Sequence, residues 1–260
     1  MRRFLVLGVA ALGVSAAQAD FSFFDDFESY ADTAAMTAPG AWGDGQDAAQ
    51  PPLGTLATTG GNPGQGMLHN GGETNRHALP NLFPTAGQPI IWEFDFVDPG
   101  TSSNRRITSG LRVGTGTPLL EFGAYNNADN PDDPTGPNVA GYGYRTVGVG
   151  APAGDSGGWF SFSGNPSTRA GTHHFRATIL PTSILFELDL GSDGTLDGSS
   201  LVTTSDMSAI GWNVVRIGGP SDLSSAGGGG VFDNVGVRQI PEPGALVLLG
   251  LGAIAALRRR

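Results

Sequence analysis

Short runs of β-branched and aromatic residues, separated by Gly, Pro, Asn and Asp, fill most of this chain and constrain its fold more than any other feature. The clearest run is Ile90–Val97, in which apolar and acidic residues alternate. Successive side chains of a strand point to opposite faces. The run therefore predicts a strand with Trp92 and Phe94 on one face and with Glu93 and Asp95 on the other.

Further strands are predicted wherever a similar run lies between turn residues. These segments are His174–Leu180, Ile184–Leu190, Val214–Ile217, Val231–Val237, Phe23–Tyr30, Arg106–Val113, Leu119–Tyr125, Gly141–Val147 and Trp159–Phe162. The body shows no convincing amphipathic helix. Many short strands with frequent turns are typical of sandwiches and jelly rolls, so we predict an all-β, jelly-roll β-sandwich.

Composition excludes several classes of function. Gly and Pro together make up about 23 % of the 260 residues, just under the level typical of low-complexity chains. The absence of Cys excludes disulfides, cysteine-ligated metals and a thiol nucleophile. All 14 basic residues are Arg and the net charge is −10, which argues against nucleic-acid binding because phosphate neutralisation needs a basic face.

The N-terminal end has the pattern of a secretory signal peptide. Arg2 and Arg3 precede an apolar run, and Ala17-Gln18-Ala19 provides an A-x-A cleavage site. We expect residues 1–19 to form a signal helix that directs the chain to the Sec translocon. A retained anchor helix is the alternative, which the short length of the run disfavours.

The C-terminal end has a tripartite pattern of its own. A Pro-Glu-Pro motif precedes a 14-residue apolar stretch over 244–257, and an Arg cluster ends the chain. The motif residues are Pro241, Glu242 and Pro243, and the cluster is Arg258, Arg259 and Arg260. A helix of this length spans about 21 Å, less than the hydrocarbon core, so we predict a short transmembrane helix that inserts transiently.

These three features in this order resemble the PEP-CTERM sorting signal, which we place at residues 239–260. The resemblance implies recognition by an exosortase, removal of the tail, and delivery to the cell envelope, the surface or the extracellular matrix. An ordinary terminal membrane anchor is the alternative.

The remaining body, residues 20–238, is predicted to form one β-sandwich domain. It resembles the concanavalin A-like (laminin-G-like) jelly roll in four segments, which are FDDFESY (Phe24–Tyr30), WEFDF (Trp92–Phe96), the hairpin His174–Gly194 and FDNVGV (Phe232–Val237). We expect the opening and closing segments to be neighbours in one sheet.

Two strings resemble enzyme motifs. Glu93, Asp95 and Asp98 resemble the E-x-D-x-x-E strand of family 16 glycoside hydrolases. In that family one carboxylate attacks the sugar and another acts as the acid/base. A bulge would be needed to bring Asp98 onto the same face as Glu93 and Asp95. The string GDSGG around Ser156 resembles chymotrypsin-type proteases, but a serine nucleophile also needs a His base. The carboxylate motif is also explained by the ordinary alternation of a half-exposed strand. The GDSGG string is also explained by a Gly-rich turn.

Other residues are candidates for binding. Trp42, Trp159 and Tyr142 would stack on sugar rings if exposed, and otherwise belong to the core. No motif requires a cofactor. A structural Ca²⁺ is a candidate, and Glu28 and Asp233 would be placed to hold it between the first and last strands.

We therefore expect a secreted or surface-sorted, non-enzymatic protein with a structural or adhesive role in the extracellular polymer matrix, and with weak polysaccharide binding. The alternative is a family 16 type glycoside hydrolase that acts on a surface or matrix polysaccharide.

Overall fold

The computed structural model describes residues 22–43, 53–70, 73–100, 106–125, 141–151, 158–218 and 229–239, which contain fourteen strands and one short helix. In chain order the elements are β1 (Phe23–Asp25), α1 (Thr33–Met36), β2 (Thr55–Gly61), β3 (Gly64–His69), β4 (Thr74–Leu82), β5 (Ile90–Asp98), β6 (Arg106–Arg112), β7 (Leu119–Tyr125), β8 (Tyr142–Val147), β9 (Phe160–Ser161), β10 (Gly171–Leu180), β11 (Ser183–Leu190), β12 (Gly198–Thr203), β13 (Trp212–Gly218) and β14 (Gly230–Gln239).

The strands form two antiparallel sheets. The larger sheet has the order β12-β11-β10-β5-β14-β3-β2, with β1 also paired to β14, and the smaller sheet has the order β4-β13-β6-β7-β8-β9. This architecture confirms the predicted all-β sandwich, and it agrees with the jelly roll that the sequence resembles.

The strongly alternating segments lie where the sequence predicted strands. The predicted strand Ile90–Val97 extends by one residue to Asp98, and Leu119–Tyr125 has the predicted bounds. Strands β1 and β14 pair with Phe24 opposite Gly236, which confirms that the opening and closing segments are neighbours in one sheet.

Strands β2, β3, β4 and β12 were not predicted. Strand β2 is an edge strand of the larger sheet, and most of its side chains are exposed or half-buried. An edge strand without a buried face carries no apolar alternation, so its sequence gives little sign of a strand.

Aromatic side chains from both sheets build the core. The rings of Phe94 and Phe175, on neighbouring strands of the larger sheet, stack with centroids 5.0 Å apart. Phe122 of the smaller sheet lies edge-on to Trp92 at 4.4 Å and to Phe94 at 5.0 Å, so it joins the two layers. Each such side chain buries about 150–250 Å² of largely apolar surface. This burial fixes which face of β5 points inward.

The predicted signal helix and the predicted C-terminal transmembrane helix lie outside the described residues. Within the described ranges, no helix has both the length and the apolar character needed to cross a membrane.

Candidate functional site

A row of polar side chains crosses the outer face of the larger sheet. Asp95 on β5 lies opposite Asp233 on β14 and opposite His174 on β10. His174 in turn lies opposite Asp189 on β11. Side chains that face each other on antiparallel strands are close enough to interact, so four strands together create one polar surface.

The central contact of this row joins Asp95 and His174. His174 Nδ1 lies 2.8 Å from Asp95 Oδ1. Burial alone would raise the pKa of Asp95, but the hydrogen bonds from His174 and from two Asn amides outweigh it and hold the pKa below its usual value. Burial alone would lower the pKa of His174, but the hydrogen bond and the charge of Asp95 outweigh it and raise the pKa. The pair is therefore held as carboxylate and imidazolium over a wider pH range than either group alone.

Two asparagines hold the other oxygen of Asp95. The Nδ2 atoms of Asn234 and Asn62 donate to Asp95 Oδ2 at 2.9 and 3.0 Å. Asn234 lies in the bulge of β14 and has φ 49°, a left-handed conformation that Asn adopts more readily than most residues. The bulge turns its amide toward Asp95, and Asn62 reaches the same oxygen from the turn between β2 and β3.

A second row contains charges of both signs. Arg176 on β10 lies opposite Glu93 on β5 and opposite Glu187 on β11. Arg238 Nη1 lies 3.2 Å from Glu93 Oε1, and Arg176 Nε lies 4.0 Å from Glu93 Oε2. Glu93 is thus paired with two guanidinium groups.

The two rows meet at a small open pocket of about 110 Å³. It is lined by His174, Arg176, Glu187, Asp189 and Leu196. The side chains of His174 and Arg176 are 36 % and 40 % exposed, so they can reach a ligand. Hydrogen-bond donors, carboxylate acceptors and one apolar side chain therefore converge on the same opening. We call these five residues the His174 pocket.

Asp98 does not join Glu93 and Asp95. The register between β5 and β10 is continuous from Ile90 to Asp98, so the bulge that would turn Asp98 outward is absent from this strand pair. Asp98 is buried on the core side, where it accepts hydrogen bonds from Tyr142 Oη at 2.7 Å and from the Gly100 amide at 2.6 Å. The three carboxylates suggested by the hydrolase resemblance therefore lie on two different faces of β5.

The three aromatic candidates lie inside the protein. Trp42 and Tyr142 are fully buried and Trp159 is 7 % exposed. Trp42 Nε1 donates to Asp25 at 2.8 Å, and one face of Trp159 is stacked on Tyr125 with centroids 4.2 Å apart. None of these three rings offers an open face to a sugar.

The calcium candidates, Glu28 and Asp233, lie on either side of the turn between β2 and β3. Glu28 Oε1 accepts the Gln65 amide at 2.7 Å, and Asp233 accepts the amides of Asn62 and Asn234. Burial, together with the charges of Asp95 and Glu28, raises the pKa of Asp233 to about 6.

Three of these four carboxylate oxygens accept backbone N–H donors, whose positive ends repel a cation. In the described part of the chain, no group of three His, Asp or Glu side chains could hold a metal ion. The donor set around Glu28 and Asp233 therefore does not fit a calcium site.

The sequence analysis did not identify His174, Arg176 or Glu187 as functional residues. The signal was present in the alternation of β10, where His174 and Arg176 are separated by Phe175 and so share the outer face. The predicted Ser156 motif and the sorting motif (Pro241, Glu242, Pro243, Arg258, Arg259 and Arg260) lie outside the described residues.

Comparison with known protein families gives a match at the C-terminal end, where residues 239–260 match the PEP-CTERM protein-sorting motif. The chain carries a PEP-CTERM sorting motif. The resemblance of the tail is thereby confirmed. The motif implies processing by an exosortase and export of the protein to the cell envelope or extracellular surface.

Three solved structures illustrate how far the fold is shared. Domain 4 of AbnA, a GH43 extracellular arabinanase from Geobacillus stearothermophilus solved with arabinotriose, has a TM-score of 0.43 and 11 % identity, and the match covers 74 % of this chain and 82 % of that domain. The Ca²⁺/Man2-bound exoplasmic/lumenal domain of VIP36 has a TM-score of 0.42 and 11 % identity, with coverage of 74 % and 80 %.

A protein with a galectin-like fold from Bacillus subtilis has a TM-score of 0.35 and 12 % identity, with coverage of 73 % and 88 %. No curated protein sequence matches the chain. These values are too low to transfer a ligand from any of these proteins to this one.

Proposed function

We propose that this exported protein is a non-enzymatic, polysaccharide-binding protein with an adhesive role in the extracellular polymer matrix, and that the His174 pocket contacts the sugar. The convergence of His174, Arg176, Glu187 and Asp189 on one opening carries this proposal. Export to the cell envelope or extracellular surface supports this proposal, because polysaccharides are accessible there.

The chemistry of the pocket suits sugar hydroxyl groups. Each hydroxyl can donate one hydrogen bond and accept others. In the pocket, Glu187 supplies acceptors, and Asp189 adds the remaining lone pairs of a carboxylate that also accepts the Asp193 and Gly194 amides. Arg176 and His174 supply donors, and Leu196 offers an apolar side chain that is 55 % exposed. The small volume admits one edge of a sugar ring, so each pocket binds weakly. Firm attachment then requires several copies of the protein along one polymer.

The three carboxylates of the hydrolase resemblance, Glu93, Asp95 and Asp98, support binding rather than hydrolysis. A glycosidase needs a carboxylic acid of raised pKa within reach of a second carboxylate on the same face. Asp95 instead has a lowered pKa, Glu93 is paired with two Arg, and Asp98 lies on the core side. The alternative, a glycoside hydrolase acting through these three residues, requires a rearrangement of β5.

The test is a glycan-array and polysaccharide pull-down comparison of the wild-type protein with Glu187→Gln and Asp189→Asn. Asp206→Asn is the matched control, because it makes the same chemical change at an exposed residue away from the pocket. We expect each pocket variant to weaken binding about tenfold, the size expected for a lost hydrogen bond to a charged group. Asp206→Asn is expected to bind as the wild type does.

Two further measurements separate the alternatives. Binding is expected to survive EDTA, because the positive charges of Arg176 and His174 disfavour a metal ion in the pocket. Release of reducing sugar from β-glucan or agar would instead favour the hydrolase. Wild-type binding that neither pocket variant weakens would refute the assignment of the pocket.

A further inference from the structure

A buried glutamate surrounded by arginines lies on the outer face of the smaller sheet. Glu121 on β7 has no solvent exposure, and three guanidinium groups lie within ion-pair distance of it. The Nη2 atoms of Arg106, Arg145 and Arg216 are 2.9, 2.7 and 2.9 Å from Glu121 Oε2. This cluster has three positive charges and one negative charge.

Strand register explains how three arginines reach one carboxylate. Glu121 lies opposite Arg145 on β8 and opposite Gly110 on β6, and Gly110 lies opposite Arg216 on β13. A Cβ atom at Gly110 would lie 3.4 Å from Arg216 Nε. The missing side chain thus leaves room for Arg216 to extend across β6 toward Glu121.

Of the carboxylates that the structure describes, Glu121 is the one within ion-pair distance of Arg106, Arg145 and Arg216. The pKa of Arg216 is lowered to about 10. Burial is the main cause, and together with the charges of Arg106, Arg112 and Arg145 it outweighs the attraction of Glu121. The whole chain, by contrast, has a net charge of −10. Positive charge is therefore concentrated on this face of an acidic protein.

Arg106 and Arg145 form the accessible edge of the cluster, with side chains 11 % and 18 % exposed. Both use Nε and Nη2 to contact Glu121. Among the described residues, no hydrogen bond involves Nη1 of either arginine, so each retains two N–H donors there. Their guanidinium carbons lie 5.3 and 5.1 Å from the centre of the Trp159 ring, which holds them side by side.

We propose that Arg106 and Arg145 form a clamp that binds the carboxylate of an acidic sugar, such as a uronic acid unit of a matrix polysaccharide. Because Nε and Nη2 of both arginines already contact Glu121, the two Nη1 groups would each donate to one oxygen of the incoming carboxylate, and this additional anion would balance the excess positive charge. This site is separate from the His174 pocket, because it lies on the outer face of the other sheet.

The experiment measures the affinity of the whole exported protein for polygalacturonate, with dextran as the neutral control and dextran sulfate as a second anion. Arg145→Gln is expected to weaken polygalacturonate binding about tenfold or more, and Arg145→Lys to weaken it less because the charge remains. The matched control Arg169→Gln removes one exposed positive charge elsewhere and is expected to leave binding unchanged. Binding is also expected to weaken as salt is raised.

A purely structural cluster predicts a different pattern. Glu121→Gln removes the internal negative charge, so an anion clamp should bind polygalacturonate more tightly, whereas a structural cluster would gain nothing. Circular dichroism shows which variants fold. If Glu121→Gln does not fold, the Arg145 variants provide the test. The clamp predicts that affinity for polygalacturonate decreases in the order wild type, Arg145→Lys, Arg145→Gln.

Three results would overturn the clamp. The first is binding of dextran as tight as that of polygalacturonate. The second is equal affinity of folded Arg145→Gln and wild type. The third is tighter binding of dextran sulfate than of polygalacturonate, which would assign the site to sulfate. Because the Glu187→Gln variant keeps the clamp intact, it should still bind polygalacturonate, so failure of the His174 pocket and failure of the clamp are distinguishable.

Discussion

Acid is expected to destabilise this protein through one buried histidine, His69. Its side chain is fully buried at the end of β3, and neither ring nitrogen has a hydrogen-bond partner within the described structure. The nearest carboxylate oxygen, Glu73 Oε2, lies 3.5 Å from Nδ1, and the charge of Arg216 opposes protonation. Burial, the largest effect, outweighs the attraction of Glu73 and lowers the pKa of His69 to about 4.

The sign and size of the effect follow from proton linkage. Between about pH 4 and 6.5 the unfolded chain binds a proton at His69 and the native protein does not, so stability falls as the pH is lowered through this window. The gap between 6.5 and about 4 corresponds to roughly 3 kcal/mol, at about 1.4 kcal/mol per pH unit. That is a large share of the roughly 5–15 kcal/mol that stabilises a typical domain.

The measurement compares urea unfolding of wild type and His69→Leu at pH 7 and pH 4. Leu has a similar size and does not titrate. Lowering the pH from 7 to 4 should therefore raise the free energy of unfolding of the variant, relative to that of wild type, by roughly 3 kcal/mol. A free-energy change of this size corresponds to a shift in melting temperature of about 6–12 °C for a domain of this length. Other titrating groups contribute to both curves, so the comparison isolates His69. A free-energy difference that stays constant between the two pH values would refute the reasoning, as would an NMR titration of His69 with a midpoint near 6.5.

Two further predictions concern the larger sheet. Asp95→Asn removes the charge that holds the imidazolium, so the pKa of His174 should fall, as NMR titration will show; a pKa equal to that in the wild type would contradict the pairing. Gly64→Ala should destabilise the protein by about 1–2 kcal/mol in urea unfolding, because Gly64 has φ +90° and an added Cβ would lie 2.0 Å from Glu28 Oε1; an unchanged midpoint would contradict the close packing of the turn on Glu28.

Local patterns were sufficient to predict most of the strands of the sandwich. Strand β5 shows why: its alternation of aromatic and acidic residues is preserved because one face packs on Phe122 and the other meets polar side chains of the neighbouring strands. Strand β2 shows the opposite case, since neither of its faces is deeply buried and the sequence has no pattern to detect.

The candidate site could not be predicted in the same way, because it depends on pairing between distant strands. Asp95 and His174 are 79 positions apart, and their contact follows from the register of β5 on β10. The sequence indicated the face that each residue occupies but not the partner opposite it. Asn234 adds a second difficulty, because its amide reaches Asp95 only through the bulge in β14.

Pairing between distant strands also explains why two carboxylates with similar sequence surroundings have different roles. Asp95 and Asp98 lie three residues apart on one regular strand, so the period of two places them on opposite faces. On the outer face, Asp95 meets an imidazole and two amides, which favour its ionised form. On the inner face, Asp98 meets the Tyr142 hydroxyl and fastens β5 to the smaller sheet. A hydrolase needs two carboxylates that share one space, whereas this strand separates them by the thickness of the sheet. The register of β5 therefore prevents Asp95 and Asp98 from acting as one pair of catalytic carboxylates.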